Sequence, residues 1–412
     1  MQTLNGKIYM DLSACVWTFG GGSGGFNRSS RSGMDEFTTA EKLFLIHAVN
    51  KVYIQKHPEE PLAISGFEAH VPNELTKYAK NFERTPKGEI INSLEPVRIA
   101  MAKTGLLCAM VTPNSHHFSM YRAATSADPK ERALAKARLE EAFEIALALG
   151  AKTVVLWNGG EVYSSPFEVD FKQMISAYID TLRIAADLAI KNDMYIAIEP
   201  KPFEPGDEMF PNNSGLLMAL LNYARDKKLL TEDQYARLGV NDEMGHVKMG
   251  NMDLAQTYAI NAFGGKNFHA HLNRQNERGK HDTDNEIEMD IDSLAVIDIL
   301  STDSVFMDAS VRRFAGFDYK FRHQYNGKQA ILSLYANIAR TRAMEQLARE
   351  IRADLHIKKL REEHKYVELN SAIKERLGKA TAKVEKEISE VGKEGGIPIP
   401  KDYETRVSQS AL

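Results

Sequence analysis

The chain has 412 residues, a formal net charge of −4 and two cysteines, with 43% hydrophobic and 26% charged residues. This length exceeds the roughly 250–300 residues at which one hydrophobic core stops growing, so we expect two domains or one large barrel with an appendage. The balanced composition excludes a disordered or collagen-like chain. The slight acidity argues against nucleic acid as the main partner, because phosphate binding requires a clustered positive field.

Cysteine content and hydropathy limit the location of the protein. Cys15 and Cys108 cannot form a disulfide scaffold, which favours a reducing compartment. The N-terminal sequence lacks the basic and apolar regions of a secretory signal. No stretch approaches the ~18 consecutive apolar residues of a membrane helix. We therefore expect a soluble cytoplasmic protein, most simply an enzyme, without a membrane or nucleic-acid partner.

Short apolar runs alternate with amphipathic stretches over most of the chain. The runs have the length of buried parallel strands and lie at residues 7–12, 62–67, 105–112, 152–157, 194–199, 237–241, 267–273 and 314–319. Between them, residues 127–150 show the three- and four-residue spacing of a helix, with Asp128 as its cap and Gly150 at its end. Eight strand–helix repeats predict an α/β fold, a (β/α)8 TIM barrel, over residues 1–325.

Residues 326–412 have a different character. They are predicted to form helices followed by a Lys/Glu-rich segment, without strands or the apolar mass for a separate core. This C-terminal arm must therefore pack on the barrel or on a neighbouring subunit, and we favour the neighbour. A solvated charged helix without a function is the alternative.

Polar residues cluster at or near the ends of the predicted strands. One such residue is more often a cap than a site, but here they recur in order, as His70, Asn158, Glu199, Lys201, Glu243, His246, His271, Asp318 and Lys320. The carboxyl ends of barrel strands converge on one mouth, where the catalytic groups of such barrels lie. The pattern therefore predicts a functional site at this mouth.

The residue types at the mouth favour metal binding. The pairs Glu243/His246 and Asp282/Asp284 are weak signals when each is taken alone. Several carboxylates packed together without neutralisation would have raised pKa values and would cost stability, and cations remove that cost. Oxygen-rich ligation with one or two imidazoles suits Mg²⁺, Mn²⁺ or Co²⁺ more than a closed zinc site. A two-metal site is a reasonable expectation.

Taken together, these segments resemble the xylose isomerase family of metal-dependent aldose–ketose isomerases. The match runs in order over most of the chain, and its most specific segments are Glu199-Pro-Lys-Pro-Phe-Glu-Pro205, Glu243-Met-Gly-His246, Phe268-His-Ala-His-Leu-Asn273, Lys280-His-Asp-Thr-Asp284 and Gly316-Phe-Asp-Tyr-Lys320. The resemblance implies a TIM barrel, a sugar substrate and two divalent ions per subunit (Mn²⁺, Co²⁺ or Mg²⁺). It also implies a homotetramer, a dimer of dimers, joined by the C-terminal arm.

The resemblance implies roles for individual residues. A structural metal would be held by Glu199, Glu243, His271 and Asp318. A catalytic metal would share Glu243 and be held also by His246, Asp282 and Asp284. The catalytic side chains would be His70, for ring opening, Lys201, for the carbonyl oxygen, and Asp282. The substrate would contact Trp17, Asn114, His116, Trp157 and Lys201, together with Phe26 inserted from a neighbouring subunit.

Asp308 competes with Asp318 for the last ligand position, because its segment also resembles the corresponding segment of the family. Asp318 is favoured because a lysine follows it two residues later, at Lys320.

Three positions depart from the family pattern. His271 stands where Asp is usual, Asn73 stands where an Asp would follow the ring-opening histidine, and His116 replaces an aromatic residue. Five carboxylates against two divalent ions leave a charge of −1, whereas six would leave −2. This ligand set also resembles those of rhamnose isomerases and ketose 3-epimerases. We expect an aldose–ketose isomerase using a 1,2-hydride shift, with a 3-epimerase or a sugar or glycoside lyase as alternatives.

Overall fold

Eight parallel strands close into a barrel. The structure is a computed structural model and describes residues 2–4, 7–23, 26–28, 37–60, 62–75, 94–114, 122–276, 281–322 and 324–409. The barrel strands are β1 (Asp11–Cys15), β2 (Ile64–Val71), β3 (Leu107–Pro113), β4 (Thr153–Trp157), β5 (Tyr195–Glu199), β6 (Leu238–Glu243), β7 (Asn267–His271) and β8 (Phe314–Phe317). They pair in chain order, and β8 pairs with β1 to close the ring. The predicted TIM barrel is confirmed.

The first strand was predicted in the wrong place. Lys7–Tyr9 pairs antiparallel with Gln2–Leu4 outside the barrel, and the barrel strand begins at Asp11. The apolar run was misleading because β1 carries two buried polar residues. Asp11 accepts a hydrogen bond from Arg312 Nε at 2.6 Å, and the Ser13 hydroxyl donates to Glu68. These partners lie far away in sequence, so hydropathy alone could not place the strand.

Helices follow the strands and cover the outside of the barrel. They are α1 (Thr39–Lys56), α2 (Leu94–Thr104), α3 (Pro129–Leu149), α4 (Phe171–Asn192), α5 (Ser214–Asp226), α6 (Glu232–Ala236), α7 (Met244–Met249), α8 (Leu254–Phe263) and α9 (Ile291–Leu300). The side chain of Asp128 caps α3 by accepting from Lys130 N. Gly150 ends it at φ 75°, in the left-handed region that favours glycine. Both predicted boundaries of this helix are correct.

The C-terminal arm lies against its own barrel. It consists of α10 (Gly327–Ala353), α11 (Leu355–Glu362), α12 (Tyr366–Lys393) and α13 (Lys401–Gln409). Helix α10 packs on α1 and α9, and α12 packs along α10. An apolar stripe of α12, which includes Leu377, Val384 and Val391, is buried. Of the two packing partners considered, the barrel is therefore observed, and a contact with another subunit stays a prediction.

Apolar side chains fill the space between strands and helices and also the inside of the barrel. The inner cluster consists of Cys15, Trp17, Met110, Val155, Ala197 and Phe268. The polar residues of the mouth lie above this cluster, at the carboxyl ends of the strands. None of the helices in the described part of the chain is long and apolar enough to cross a membrane.

Candidate active site

Four adjacent strands bring together the first group of ligand-type side chains. Glu199, Glu243 and His271 end β5, β6 and β7, and Asp318 directly follows β8. His271 Nδ1 lies 3.2 Å from Glu199 Oε2, 3.2 Å from Asp318 Oδ2 and 3.9 Å from Glu243 Oε2. All four side chains are buried. Parallel strands place their carboxyl ends at one edge of the sheet, which is why residues 119 positions apart along the chain meet here.

A second group shares Glu243 with the first. Helix α7 starts immediately after β6, so His246 lies in its first turn and faces the mouth. His246 Nε2 lies 3.2 Å from Glu243 Oε2 and 3.1 Å from Asp282 Oδ2. The ligand atoms of Glu243, His246 and Asp282 all lie within 4.8 Å of one another. Two ligand clusters that share one carboxylate are therefore present at the mouth.

Asp284 and Asp308 have different positions relative to these clusters. Asp284 is buried, and its backbone N–H donates to Asp282 Oδ1 at 3.3 Å. Asp308 instead accepts a hydrogen bond from the backbone N–H of Ser310 at 2.8 Å, in a turn before β8. The structure thus brings Asp318, and not Asp308, together with the other predicted ligands.

Carboxylates crowd each other at the mouth. Burial, reinforced by Asp282, Asp318 and Glu199, raises the pKa of Glu243 well above its ordinary value. Burial and the same two aspartates raise the pKa of Asp284. Crowded carboxylates of this kind repel one another, and a bound cation would remove that repulsion.

Two cationic side chains partly compensate this charge. Lys201 Nζ donates to Asp282 Oδ2 at 2.8 Å, and this lysine keeps the pKa of Asp282 well below its ordinary value in spite of burial. Burial alone would lower the pKa of His271, but Glu199, Glu68 and Asp318 raise it well above its ordinary value. His271 therefore offsets part of the negative charge of the carboxylates around it.

His70 has a partner that the sequence pattern did not predict. Its ring lies 4.1 Å from the ring of Trp17, centroid to centroid, and its Nδ1 lies 3.2 Å from Glu74 Oε2. The same carboxylate oxygen accepts from the His70 backbone N–H at 2.8 Å. The expected partner position holds Asn73, but the carboxylate comes from the next residue. A Glu four residues after the histidine was the available signal.

The predicted substrate-contacting residues are only partly described. Trp17 Nε1 donates to Asp318 Oδ1 at 2.7 Å, and Lys201 Nζ lies 5.7 Å from the centre of the Trp157 ring. Asn114 follows β3 and is buried. Phe26 lies in a hairpin strand paired with Gly21–Ser23, but its side chain is outside the described residues, as is all of His116.

Glu68 was missed by sequence reasoning. It lies in the middle of β2, fully buried, with Oε1 3.0 Å from His269 Nε2 and Oε2 2.9 Å from His271 Nε2. Its pKa lies well below the ordinary value because these histidines outweigh the effect of burial. The signal was a carboxylate within the apolar run of a central strand, which must be paired to be buried.

The fold and the site together define a class: a TIM barrel with a candidate metal-binding mouth of carboxylates and imidazoles. A family model described as xylose isomerase-like TIM barrel matches residues 64–302. Because this match covers more than half of the chain, the protein belongs to the xylose isomerase-like TIM barrel family. The resemblance expected from the sequence is confirmed.

Individual relatives agree with this assignment. The xylose isomerase of Thermus thermophilus is 30% identical over 199 residues, which span 46% of this chain and 48% of that protein. The solved structure of an L-ribulose 3-epimerase has a TM-score of 0.54 at 12% identity and covers 84% of this chain and 99% of its own. D-psicose 3-epimerase from Clostridium cellulolyticum H10, solved with D-tagatose, gives 0.54 at 10% identity, covering 82% and 99%. At such identities the structural likeness shows the fold alone.

Proposed function

We propose that the protein is a metal-dependent sugar isomerase that interconverts an aldose and its ketose by a 1,2-hydride shift. The observation that carries the proposal is the pair of ligand clusters sharing Glu243, with Lys201 bound to Asp282 beside them. A 3-epimerase that moves a proton between two carboxylates needs one metal, so a second cluster favours the isomerase.

The side chains present fit two divalent cations. Glu199, Glu243, His271 and Asp318 would hold one, and Glu243, His246, Asp282 and Asp284 the other. His246 Nδ1 is buried and makes no hydrogen bond with the residues described. An oxygen-rich set with two imidazoles suits Mn²⁺ or Co²⁺ well. When bound, the cations supply Lewis-acid polarisation of the sugar carbonyl and activation of a water molecule.

Lys201 is proposed to stabilise negative charge on the reacting oxygen of the sugar. It is buried, with 3% of its side chain exposed, and its pKa is raised because Asp282, Glu243 and Asp284 outweigh burial. It therefore stays cationic at neutral pH and supplies a fixed donor in a site of low dielectric. The ring of Trp157 beside it excludes water from the same space.

His70 is proposed to move a proton during opening of the sugar ring. A hydrogen bond from Nδ1 to Glu74 leaves Nε2 without a proton in the neutral tautomer, so Nε2 can act as a base. The Trp17 ring against His70 limits the orientations of the imidazole. Glu74 is thus proposed to hold the His70 imidazole, in place of the Asp that the family pattern has three residues after this histidine.

The C-terminal arm is proposed to contribute to a homotetramer. Leu355, Tyr366 and Val367, at the starts of α11 and α12, are 80%, 53% and 79% exposed. Exposed apolar side chains on the arm favour a contact with another subunit. Light scattering of the purified protein tests this, with a monomer as the contradictory result.

A sugar screen tests the proposed reaction. Pentoses and hexoses are incubated with Mn²⁺, Co²⁺ or Mg²⁺ and followed by NMR, with Glu243→Gln as the inactive variant and Glu385→Gln, on the exposed arm, as the matched control. We expect at least one aldose to give its ketose with metal, in the wild type and the control only. Conversion of a ketose into its 3-epimer alone would contradict the proposal, as would no conversion of any sugar. Solvent deuterium entering C1 or C2 of the product at the turnover rate would exclude the hydride shift.

A further inference from the structure

We infer that Glu68 is a positioning residue that holds His271 with Nδ1 free to bind the metal of the first cluster. This inference rests on the proposed function, because it assigns a role toward a metal of that site. Glu68 contacts His271 from the side away from the two ligand clusters, and neither the residue pattern of the sequence nor these two clusters includes it.

The two nitrogens of His271 face different carboxylates. Nδ1 points to the mouth, 3.2 Å from Glu199 Oε2, from Asp318 Oδ2 and from the amide nitrogen of Asn241, which can only donate and so also matches an unprotonated Nδ1. Nε2 points below the mouth, 2.9 Å from Glu68 Oε2. A neutral imidazole carries one proton, and a carboxylate at Nε2 keeps that proton there. Nδ1 then presents its lone pair to the cluster, as a metal ligand must.

Glu68 itself cannot move away from this position. Its Oε1 accepts from the Ser13 hydroxyl and lies 3.0 Å from His269 Nε2, while Cys15 Sγ lies 3.4 Å from Oε2. A side chain on Gly316 would overlap the carboxylate, so the glycine leaves the space that Glu68 fills. The Glu68 carboxylate is fully buried and contacted at both oxygens, so it has one orientation. This in turn fixes the orientation of the His271 ring.

Glu68 also restores a charge to the site. The five carboxylates among the candidate ligands leave −1 against two divalent ions, since His271 contributes none. The Glu68 carboxylate on the far side of the same imidazole brings the buried total to six. A carboxylate hydrogen-bonded to a metal-bound histidine increases the basicity of that ligand, and loss of such a partner typically costs 10–100-fold in metal affinity.

The experiment is a double-mutant cycle on Mn²⁺ affinity, measured by calorimetry. Glu68→Gln keeps the shape, but it removes the negative charge and replaces one acceptor oxygen by an N–H₂ group, which cannot accept a hydrogen bond from an imidazole N–H. We expect it to weaken one of the two Mn²⁺ sites roughly 10–100-fold. His271→Asp replaces the imidazole by a ligand that has no tautomer to fix. In that background we expect Glu68→Gln to weaken Mn²⁺ binding no further, or to strengthen it by removing a like charge.

The outcomes separate this inference from the proposed function. Wild-type protein without Mn²⁺ binding would overturn the proposed function itself. Normal Mn²⁺ binding by both wild type and Glu68→Gln would overturn only the positioning role. An equal loss of affinity in both backgrounds would also overturn it, because the effect would not pass through His271. Glu385→Gln removes a carboxylate of the arm that does not contact Glu68 and serves as the control, with unchanged affinity expected.

A second measurement keeps the inference testable if Glu68→Gln does not fold. Wild-type protein labelled with ¹⁵N-histidine and loaded with Mg²⁺ reports the protonation of each ring nitrogen, and the spectrum of His271→Asp identifies the resonances of His271. We expect the proton on Nε2 and none on Nδ1. A proton on Nδ1 of His271 in the loaded protein would contradict the inference.

Discussion

The barrel mouth and the C-terminal arm are both rich in charge, but they arrange it in opposite ways. On the arm and its contact with the barrel, carboxylates lie beside lysines and arginines, as in Lys56–Glu394 and Arg340–Glu385, each at 2.8 Å and partly exposed. In the mouth, five buried carboxylates face two lysines and two histidines. Exposed pairs contribute little to stability, whereas crowded buried carboxylates destabilise the fold unless cations bind. The arm is therefore organised for packing, and the mouth for binding.

Replacing the shared carboxylate is expected to have the largest effect. Glu243→Gln should lower kcat more than ~100-fold, because even groups one step removed from a metal typically cost 10–100-fold. The fold should survive, since the substitution removes a buried charge that both burial and the neighbouring carboxylates disfavour. Steady-state kinetics with a thermal melt measure both. Full activity would mean that the two clusters do not share a functional ligand.

Removing the buried lysine sharpens the same contrast. Lys201→Met should lower kcat by about 100-fold or more, the usual cost of losing one preorganised donor, with a smaller change in KM. The reason is that the charge on the sugar oxygen develops mainly in the transition state. Lys56→Met, which breaks an exposed pair of the arm, is the matched control. An unchanged kcat for Lys201→Met would remove Lys201 from the mechanism.

Metal addition should stabilise the protein through the mouth alone. At 100 times its dissociation constant, each bound Mn²⁺ contributes about 2.7 kcal/mol to the free energy of unfolding. We expect the melting temperature of metal-free protein to rise with Mn²⁺ and to fall again with a chelator. Glu243→Gln should lose most of this increase, whereas Glu385→Gln should keep it. Equal increases in all three proteins would place the binding elsewhere.

A core substitution in the arm should show the opposite behaviour. Leu377 is 7% exposed in the stripe that packs α12 along α10, so Leu377→Ala should cost about 2 kcal/mol, the low end for such truncations. Guanidinium unfolding measures the loss, and Mn²⁺ affinity should stay unchanged. The exposed Lys374→Ala is the control for position on the same helix. Weaker Mn²⁺ binding by Leu377→Ala would show that packing of the arm and metal binding at the mouth are not independent.

The smallest expected effect concerns pH. Burial would raise the pKa of Glu387, but hydrogen bonds from His57 and Tyr335 lower it. Its stabilisation is therefore present above the ordinary glutamate value of roughly 4.3 and is lost as pH falls through the lower value of the folded state. Glu387→Gln should flatten the stability curve in that window by no more than ~1 kcal/mol. Unfolding midpoints from pH 3 to 6 would show the difference, and identical curves would exclude the contribution.

Sequence reasoning predicted the barrel and the ligand-type residues because strand ends share one edge. Once residues 194–199 and 267–273 are assigned as strands, Glu199 and His271 must lie near each other. Sequence reasoning failed where the contact partner of a residue depends on how helices and strands pack in three dimensions. Glu68 meets His271 across the barrel interior, 203 residues later in the chain. Helix α12 docks on α10 through a stripe whose partner the pattern could not name. Strand β1 was not predicted correctly because it contains the polar residues Asp11 and Ser13. These can be buried only because residues far away in the sequence hydrogen-bond to them.

The most direct measurement is the stoichiometry of Mn²⁺ binding to metal-free protein. Calorimetric titration, with EPR to count free Mn²⁺, should give two ions per chain for the wild type. Glu243→Gln should weaken both, because this carboxylate belongs to both clusters. Two ions in Glu385→Gln, with unchanged affinity, would complete the contrast between mouth and arm. One ion or none in the wild type would contradict a two-metal mouth.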